Sequence, residues 1–251
     1  VVDAIDNLFV VGQPNTHLPL RFPIQDVSRF DHRRILAGRI ESGTIKVGDR
    51  LIFGPRNKVG IVKTVERWSA SPVESASAGE SVGITLTEQI FVERGHVASH
   101  EHDAPIVSSE FQVNLFWLGR EPLETGKKYK LKLTTQEVEC EVAAIHKIID
   151  ASTLKEATTE RRYVAKNDVA ELTMRTKHPV CFDNHNRIAE SGRFVVVDRK
   201  EVSGGGIVVK GKYPDAPQKQ QSSNVVWHKS KISSDDRALR NGHKGAVIWL
   251  T

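Results

Sequence analysis

From Leu20 onward the chain alternates between short strand-like stretches and glycine-containing turns, a pattern that few folds accommodate. The stretches in the first half read RRILAGRI, TIKVGDRLIF, GIVKTVERW and ESVGITL, with turns at ESG and at Gly48-Asp49. Apolar residues at every second position give a strand one core-facing side, and strands that recur every ~8–12 residues are typical of closed antiparallel units. We therefore predict an all-β chain whose first antiparallel barrel spans about residues 18–101.

A second group of strands follows the boundary segment SHEHDAPIV at residues 99–107. Its first strand, SSEFQVNLFWL, places four large apolar side chains on one face: Phe111, Val113, Leu115 and Trp117. Two further strands flank the polar turn TTQE, whereas residues 150–167 have no clear period and are interpreted as a long loop with room for one helical turn. The pattern predicts a second antiparallel barrel over about residues 102–210.

Residues 1–17 do not share this pattern. The segment VVDAIDNL places Val1, Ile5 and Leu8 on one helical face, and the GQPNTHLP that follows has the composition of a linker. The chain begins with valine and contains a single methionine, Met174. We therefore expect a piece of a longer protein, in which residues 1–17 are the end of an upstream domain's helix and its linker.

The residues after 210 differ from the barrels in composition and fall into two segments. Residues 211–223 are rich in proline, glutamine, lysine and serine, which is typical of a linker. Over residues 224–251 we predict a capped helix from about Ser234 to Asn241, closed by Gly242 and followed by the apolar strand AVIWL. A strand that is apolar on both faces belongs inside a parallel sheet, so this segment is predicted to open a further domain.

Composition excludes several classes of protein. No stretch reaches the ~18 consecutive apolar residues of a membrane span, and no signal segment opens the chain. Two cysteines, Cys140 and Cys181, are too few and too far apart in sequence for a disulfide framework or a zinc site. We expect a reduced, cytoplasmic setting without membrane contact.

The net charge of +5 permits contact with nucleic acid or nucleotide phosphates but does not require it. The most basic stretch, KKYKLK, alternates, so Lys128, Lys130 and Lys132 share one strand face opposite Tyr129 and Leu131. We interpret this stretch as a solvated strand face rather than a binding patch.

One segment partly matches the sequence motif of a phosphate-binding loop. Residues Gly206 to Lys212 read GIVVKGK, which fits G-x-x-x-x-G-K, but Tyr213 stands where a serine or threonine would hold magnesium. A phosphate loop follows a strand and opens a helix, whereas here a strand lies inside the motif and a proline-containing linker follows. We interpret the segment as a glycine-led strand that leaves a barrel.

A cluster of histidines is the other candidate site. His96, His100, His102 and Asp103 lie within HVASHEHD and have side chains that can ligate a metal; solvated histidines on an interdomain loop are the alternative that we favour. No catalytic triad, paired-carboxylate pattern or nucleophile elbow stands out. We therefore expect no catalytic, nucleotide-binding or metal-binding residues in this chain, and no complete active site.

Two segments carry a family resemblance. The segment LPLRFPIQDVSRFDHRRILAGRIESGTIKVGDRLIF, with AGESVGITL and ERGHVAS behind it, resembles the second domain of translation-factor-type GTPases such as elongation factors Tu and 1-alpha. The second unit, ending FDNHNRIAESGRFVVVDRKEVSGGGIVV, resembles the third domain of that class, above all in the large GTPase subunit of bacterial sulfate adenylyltransferase. The resemblance implies two consecutive barrels of translation-factor type.

The tail, NVVWHKSKISSDDRALRNGHKGAVIWLT, is similar to the lead-in of adenylylsulfate kinase, where a phosphate loop follows the strand at once. The resemblance implies a parent protein that activates sulfate: a GTPase domain upstream, a kinase domain downstream and a separate small catalytic subunit as partners. It also implies GTP, ATP and Mg²⁺ as cofactors of the parent and none in this chain. No family catalytic residue can be assigned, because the corresponding motifs do not occur in these residues.

Two other functions stay open. The barrels could be the tRNA- or protein-binding barrels of a translation-factor-like GTPase, which the basic charge favours and the kinase-like tail opposes. They could also form an interaction domain without a GTPase. If the parent protein activates sulfate, we do not expect nucleic acid as a partner.

Overall fold

A computed structural model describes residues 15–30, 33–151, 156, 161–211, 239, 240 and 242. The chain divides into two compact units, Val1–Pro214 and Asp215–Thr251. All the strands given below lie in the first unit. Among the described residues, no helix is long and apolar enough to cross a membrane.

The first barrel is closed by six antiparallel strands in the order β1-β2-β7-β5-β4-β8, and β3 pairs with β6 as a separate two-stranded sheet. The strands are β1 (Phe22–Phe30), β2 (Arg33–Arg39), β3 (Thr44–Lys46), β4 (Arg50–Gly54), β5 (Lys58–Glu66), β6 (Ser75–Ser77), β7 (Ser81–Leu86) and β8 (Val97–His100). Apolar side chains from alternate positions fill the interior, among them Phe22, Phe53 and Ile84, each fully buried.

A 3₁₀ helix, Glu101–Asp103, leads into the second barrel, which closes in the order β11-β12-β14-β9-β16-β15. Its strands, with the separate pair β10 and β13, are β9 (Ile106–Trp117), β10 (Leu123–Glu124), β11 (Lys128–Leu133), β12 (Gln136–Asp150), β13 (Tyr163–Val164), β14 (Asp168–Phe182), β15 (Arg193–Asp198) and β16 (Glu201–Lys210). The all-β prediction of two consecutive antiparallel barrels is confirmed.

Strand β11 shows how the alternation places side chains. Its three lysines are exposed, while Tyr129, Leu131 and Leu133 are buried. The lysines pair across the strand with carboxylates of β12: the Lys128 ammonium lies 2.9 Å from Glu139, and that of Lys132 lies 3.3 Å from Glu137. Because such exposed pairs are screened by water and salt, this face is the solvated surface that the sequence indicates.

The segment GIVVKGK begins inside strand β16, which ends at Lys210. The segment is therefore a barrel strand, as interpreted from the sequence; Lys212 and Tyr213 lie outside the described residues. Its glycines let neighbouring strands approach closely, because a Cβ built on Gly206 would lie 2.4 Å from the backbone oxygen of Asn114, and one on Gly204 would lie 2.8 Å from the Trp117 ring.

The structure contains some β pairing within residues 150–167, where the sequence predicts a long loop. Asp150 still belongs to β12, Glu156 forms an isolated bridge with Ile149, and β13 pairs with β10 through Leu123↔Val164. A two-residue strand is too short to produce a period, so the sequence pattern could not reveal it. The expected helical turn falls mainly on residues outside the described ranges.

The predicted helix at residues 1–8 and most of the predicted tail lie outside the described residues. Of the tail, Leu239 and Arg240 are helical and Gly242 has a φ of +72°. A glycine with positive φ is common where a helix ends; Asn241, between these residues, lies outside the described ranges, so the predicted end of the helix stays a prediction.

The glycines of β16 provide a matched test of packing. Gly206→Ala is expected to lower the free energy of unfolding by about 1–3 kcal/mol, because the new methyl group would overpack the strand against Asn114. In Gly205→Ala the Cβ would lie 3.7 Å from its nearest atom, the Phe194 oxygen, so the change should stay within about 0.5 kcal/mol. Urea denaturation of both variants measures the difference. Equal destabilisation by the two would show that the close approach does not constrain the strand.

Candidate functional site at the junction of the two barrels

An arginine in front of the first barrel forms an ion pair with an aspartate of the second. The Arg21 guanidinium donates from Nε to Asp183 Oδ2 at 2.7 Å and from Nη2 to Oδ1 at 2.8 Å, and both side chains are fully buried. Arg21 directly precedes β1, and Asp183 directly follows β14. Two parallel hydrogen bonds fix the relative orientation of the two groups as well as their distance.

Further hydrogen bonds complete this buried pair. Arg21 Nη1 donates to the backbone oxygens of Leu20 and Asp103, each at 2.8 Å, and Asp183 Oδ2 accepts from Ser191 Oγ at 2.6 Å. A buried ion pair is tolerated only when its polar atoms have partners, because each charge loses its water. The arginine thus connects the start of β1, the 3₁₀ helix and the second barrel.

Other contacts extend the junction. Asp103 Oδ1 accepts a hydrogen bond from the Arg187 guanidinium, and Asn15 Nδ2 donates to Glu190 Oε1 at 3.2 Å. Glu41 lies close enough to Glu190 and Arg193 to interact electrostatically, and burial raises the pKa of Glu41 above its ordinary value. The junction is therefore polar and built from both barrels.

Cys181 packs at the same junction. Its backbone N–H donates to Gln136 Oε1 at 2.8 Å, and its carbonyl accepts from Gln136 Nε2 at 2.7 Å. Its sulfur faces Gly54 of the first barrel, where a Cβ would lie 2.5 Å from Sγ. Burial raises the pKa of the Cys181 thiol to about 12, and burial raises that of Cys140 to about 12 as well. Both thiols are protonated at neutral pH, so they pack rather than react.

The structure does not bring the four sequence-predicted metal candidates to one point. His96 is buried, its Nδ1 accepts from the Glu93 N–H at 3.4 Å, and burial lowers the pKa of its imidazole. The rings of His100 and His102 stack at 5.5 Å, while Asp103 is engaged at the junction. Within the described ranges, no group of three or more His, Cys, Asp or Glu side chains could hold a metal.

The described residues also do not fit a nucleotide phosphate group. Phosphate loops present backbone N–H groups at the start of a helix. In the described ranges before residue 212, the one helix is the 3₁₀ turn Glu101–Asp103, whose first residue is an acid. No chemical step involving GTP or ATP can be derived from these residues.

A groove of about 650 Å³ lies on the outside of the first barrel. Its lining includes Arg29, Ile35, Trp68 and Val82, and Trp68 is 96% exposed. Sequence reasoning missed this surface, because Trp68 looks like the last residue of a strand. The signal that could have revealed it is a large aromatic residue placed just outside the strand, before the polar segment SASP.

The buried pair at the junction can be tested by substitution. Arg21→Met is expected to cost about 3–5 kcal/mol of folding free energy, because it leaves the Asp183 carboxylate buried without its charge partner. Arg21→Met combined with Asp183→Leu should cost less than Arg21→Met alone. Arg50→Met, which removes an exposed pair with Glu101, serves as the control and should change stability by no more than about 1 kcal/mol. Denaturant unfolding of the natural chain and the three variants decides, and a double variant that is destabilised as much as Arg21→Met or more would contradict the assignment.

Comparison with known proteins agrees with this architecture. Residues 110–209 match the family model described as GTP-eEF1A C-terminal domain-like. The bifunctional enzyme CysN/CysC of Mycobacterium tuberculosis is 26% identical over 100% of this chain and 40% of its own length. Sulfate adenylyltransferase subunit 1 of Shewanella oneidensis is 32% identical over 72% of the chain and 38% of its own length.

Elongation factor 1-alpha of Saccharolobus solfataricus is 31% identical over 84% of the chain and 49% of its own length. The crystal structure of sup35 complexed with GDP superposes with a TM-score of 0.73 at 21% identity, over 86% of this chain and 52% of that one, and so supports the fold alone. The chain spans less than half the length of the CysN/CysC enzyme, of sulfate adenylyltransferase subunit 1 and of elongation factor 1-alpha. It is related to the bifunctional CysN/CysC enzymes and to sulfate adenylyltransferase subunit 1, and its two barrels are of translation-factor type.

Proposed function

We propose that the chain is the non-catalytic barrel region of a GTP-dependent sulfate adenylyltransferase large subunit fused to adenylylsulfate kinase. The observation that carries the proposal is the extent of the matches. The CysN/CysC match covers 100% of the chain and therefore includes residues 224–251, whereas the match to sulfate adenylyltransferase subunit 1 covers 72%. A tail that is shared with a bifunctional relative favours a fusion.

In this proposal the parent protein couples GTP hydrolysis to adenylyl transfer from ATP to sulfate, together with a separate small catalytic subunit. Its second half phosphorylates the 3′ hydroxyl of the adenylylsulfate that forms. GTP, ATP and Mg²⁺ would be held by the GTPase domain, the kinase domain and the partner subunit. The barrels would contribute no catalytic residue.

The barrels would serve as a rigid spacer between the two catalytic halves. The buried Arg21–Asp183 pair and the packing of Cys181 against Gly54 support this role, because they join the barrels through groups that cannot separate without losing their partners. The two buried free thiols support the cytoplasmic location that is part of the proposal.

A second function is favoured by one observation. The groove beside Trp68 combines an exposed aromatic ring with Arg29 and apolar walls, and the chain also matches elongation factor 1-alpha. Both fit the tRNA- or protein-binding barrels of a translation-factor-like GTPase. Binding of tRNA to the chain, with loss of binding in Trp68→Ala, would favour this function over the first.

The fusion is tested on the longer protein. A protein that continues past Thr251 through the predicted kinase domain should phosphorylate adenylylsulfate with ATP, while the chain itself should not, because the phosphate loop is expected directly after Thr251. A coupled assay for ADP release measures this activity. A natural continuation without a glycine-rich phosphate loop at that place would contradict the fusion and move the second function ahead.

The expectation that this chain has no nucleotide site is tested on the chain itself. Titration calorimetry with GTP and Mg²⁺ is expected to give no magnesium-dependent binding, because phosphate cradling requires a glycine loop, a lysine and a magnesium-holding hydroxyl. Lys212→Ala is the matched variant and should behave identically. Micromolar binding that Lys212→Ala abolishes would show that GIVVKGK is a nucleotide loop after all.

A further inference from the structure

Phe91 stands out among the exposed side chains of the first barrel. It lies in the loop between β7 and β8 and is 70% exposed. The two neighbouring side chains face the core of the first barrel: Val92 is fully buried, and Ile90 packs against that core. The loop is therefore anchored on both sides of a ring that contributes little to the core.

Hydrogen bonds hold the backbone at Phe91 in place. The Val92 N–H donates to the Ile90 carbonyl at 3.1 Å, so Phe91 is the central residue of a three-residue turn. Arg34 of β2 donates to both flanking carbonyls, from Nη1 to Ile90 at 3.2 Å and from Nη2 to Val92 at 2.7 Å. Hydrogen bonds from a charged donor are stronger than neutral ones, so the loop is fixed while its ring stays in water.

Two cations lie near the ring. The Lys58 ammonium lies 5.7 Å and the Arg34 guanidinium 5.9 Å from the ring centroid. Arg56, on the same β4–β5 hairpin as Lys58, is exposed. In the described part of the chain, neither Lys58 nor Arg56 has a carboxylate within ion-pairing distance. Their charges are available to a partner.

We propose that Phe91, Arg34, Arg56 and Lys58, called the Phe91 patch, form a docking surface for an acidic segment of a partner protein. An apolar side chain of that segment packs on the Phe91 ring, and carboxylates beside it pair with Lys58 and Arg56. Aromatic and arginine side chains are frequent anchors at protein interfaces, and a loop whose backbone is already held in place loses little conformational entropy on binding. The proposal does not depend on the function proposed above.

The same features oppose a nucleic acid as the occupant. Cations already lie over the ring, where a base would have to stack face to face, whereas an apolar side chain can pack against the edge of the ring. Glu88 and Glu93 belong to the same loop and are exposed, and their carboxylates would repel a phosphate backbone. A protein partner can place its few carboxylates beside Lys58 and Arg56 and away from Glu88 and Glu93, whereas a nucleic acid carries a phosphate at every nucleotide.

The test uses the whole chain and a random peptide display library. Selection on the immobilised chain should enrich peptides in which aspartate or glutamate flanks one aromatic or large aliphatic residue. The enriched peptide, synthesised with a fluorophore, should bind about tenfold more weakly to Phe91→Ser and similarly more weakly to Lys58→Glu. Its affinity should fall as salt rises, because exposed charges are screened.

Val202→Ser provides the control, since it removes an exposed apolar side chain of the second barrel and should leave peptide affinity unchanged. Thermal melting of all variants checks that they remain folded. The proposal is overturned if selection enriches no acidic motif, or if the peptide binds Phe91→Ser and the natural chain equally. Displacement of the peptide by a single-stranded oligonucleotide, with tighter oligonucleotide binding that requires Phe91, would assign the patch to nucleic acid and also overturn it.

Discussion

The fully buried ion pair between Arg21 and Asp183 is the interaction on which the two-barrel arrangement depends. A guanidinium removed from water must find acceptors for its N–H groups, and here they come from Asp183, Leu20 and Asp103. These acceptors belong to the first barrel, the linking 3₁₀ helix and the second barrel. A shift of one barrel against the other that breaks these hydrogen bonds while the groups stay buried would leave two charges without partners, which disfavours other arrangements of the barrels.

Each barrel meets a simpler constraint of its own. Closure pairs every barrel strand on both sides, so neither barrel presents a long unpaired edge. The glycines of β16 permit this closure where Trp117 and Phe194 crowd the interior. Among the described residues, the aromatic rings of Trp68 and Phe91 are the most exposed, at 96% and 70%.

Much of the fold could be predicted from sequence, because a strand's period of two is a local signal. KYKLKL, for example, gives the buried and exposed faces of β11 directly. The site could not be predicted in this way. Arg21 and Asp183 are 162 residues apart, so no local spacing links them, and their burial depends on the packing of both barrels. The histidine cluster was a local pattern, yet tertiary packing gives His96 and Asp103 different partners.

The buried Arg21–Asp183 pair predicts that the two barrels tumble in solution as one body. Residual dipolar couplings of backbone amides, measured by NMR on the whole chain in one aligned medium, test this prediction. Amides of β1–β8 and amides of β9–β16 should fit a single alignment tensor with the coordinates of both barrels taken together. Two tensors that differ in magnitude or orientation would show that the barrels move independently and would contradict the account.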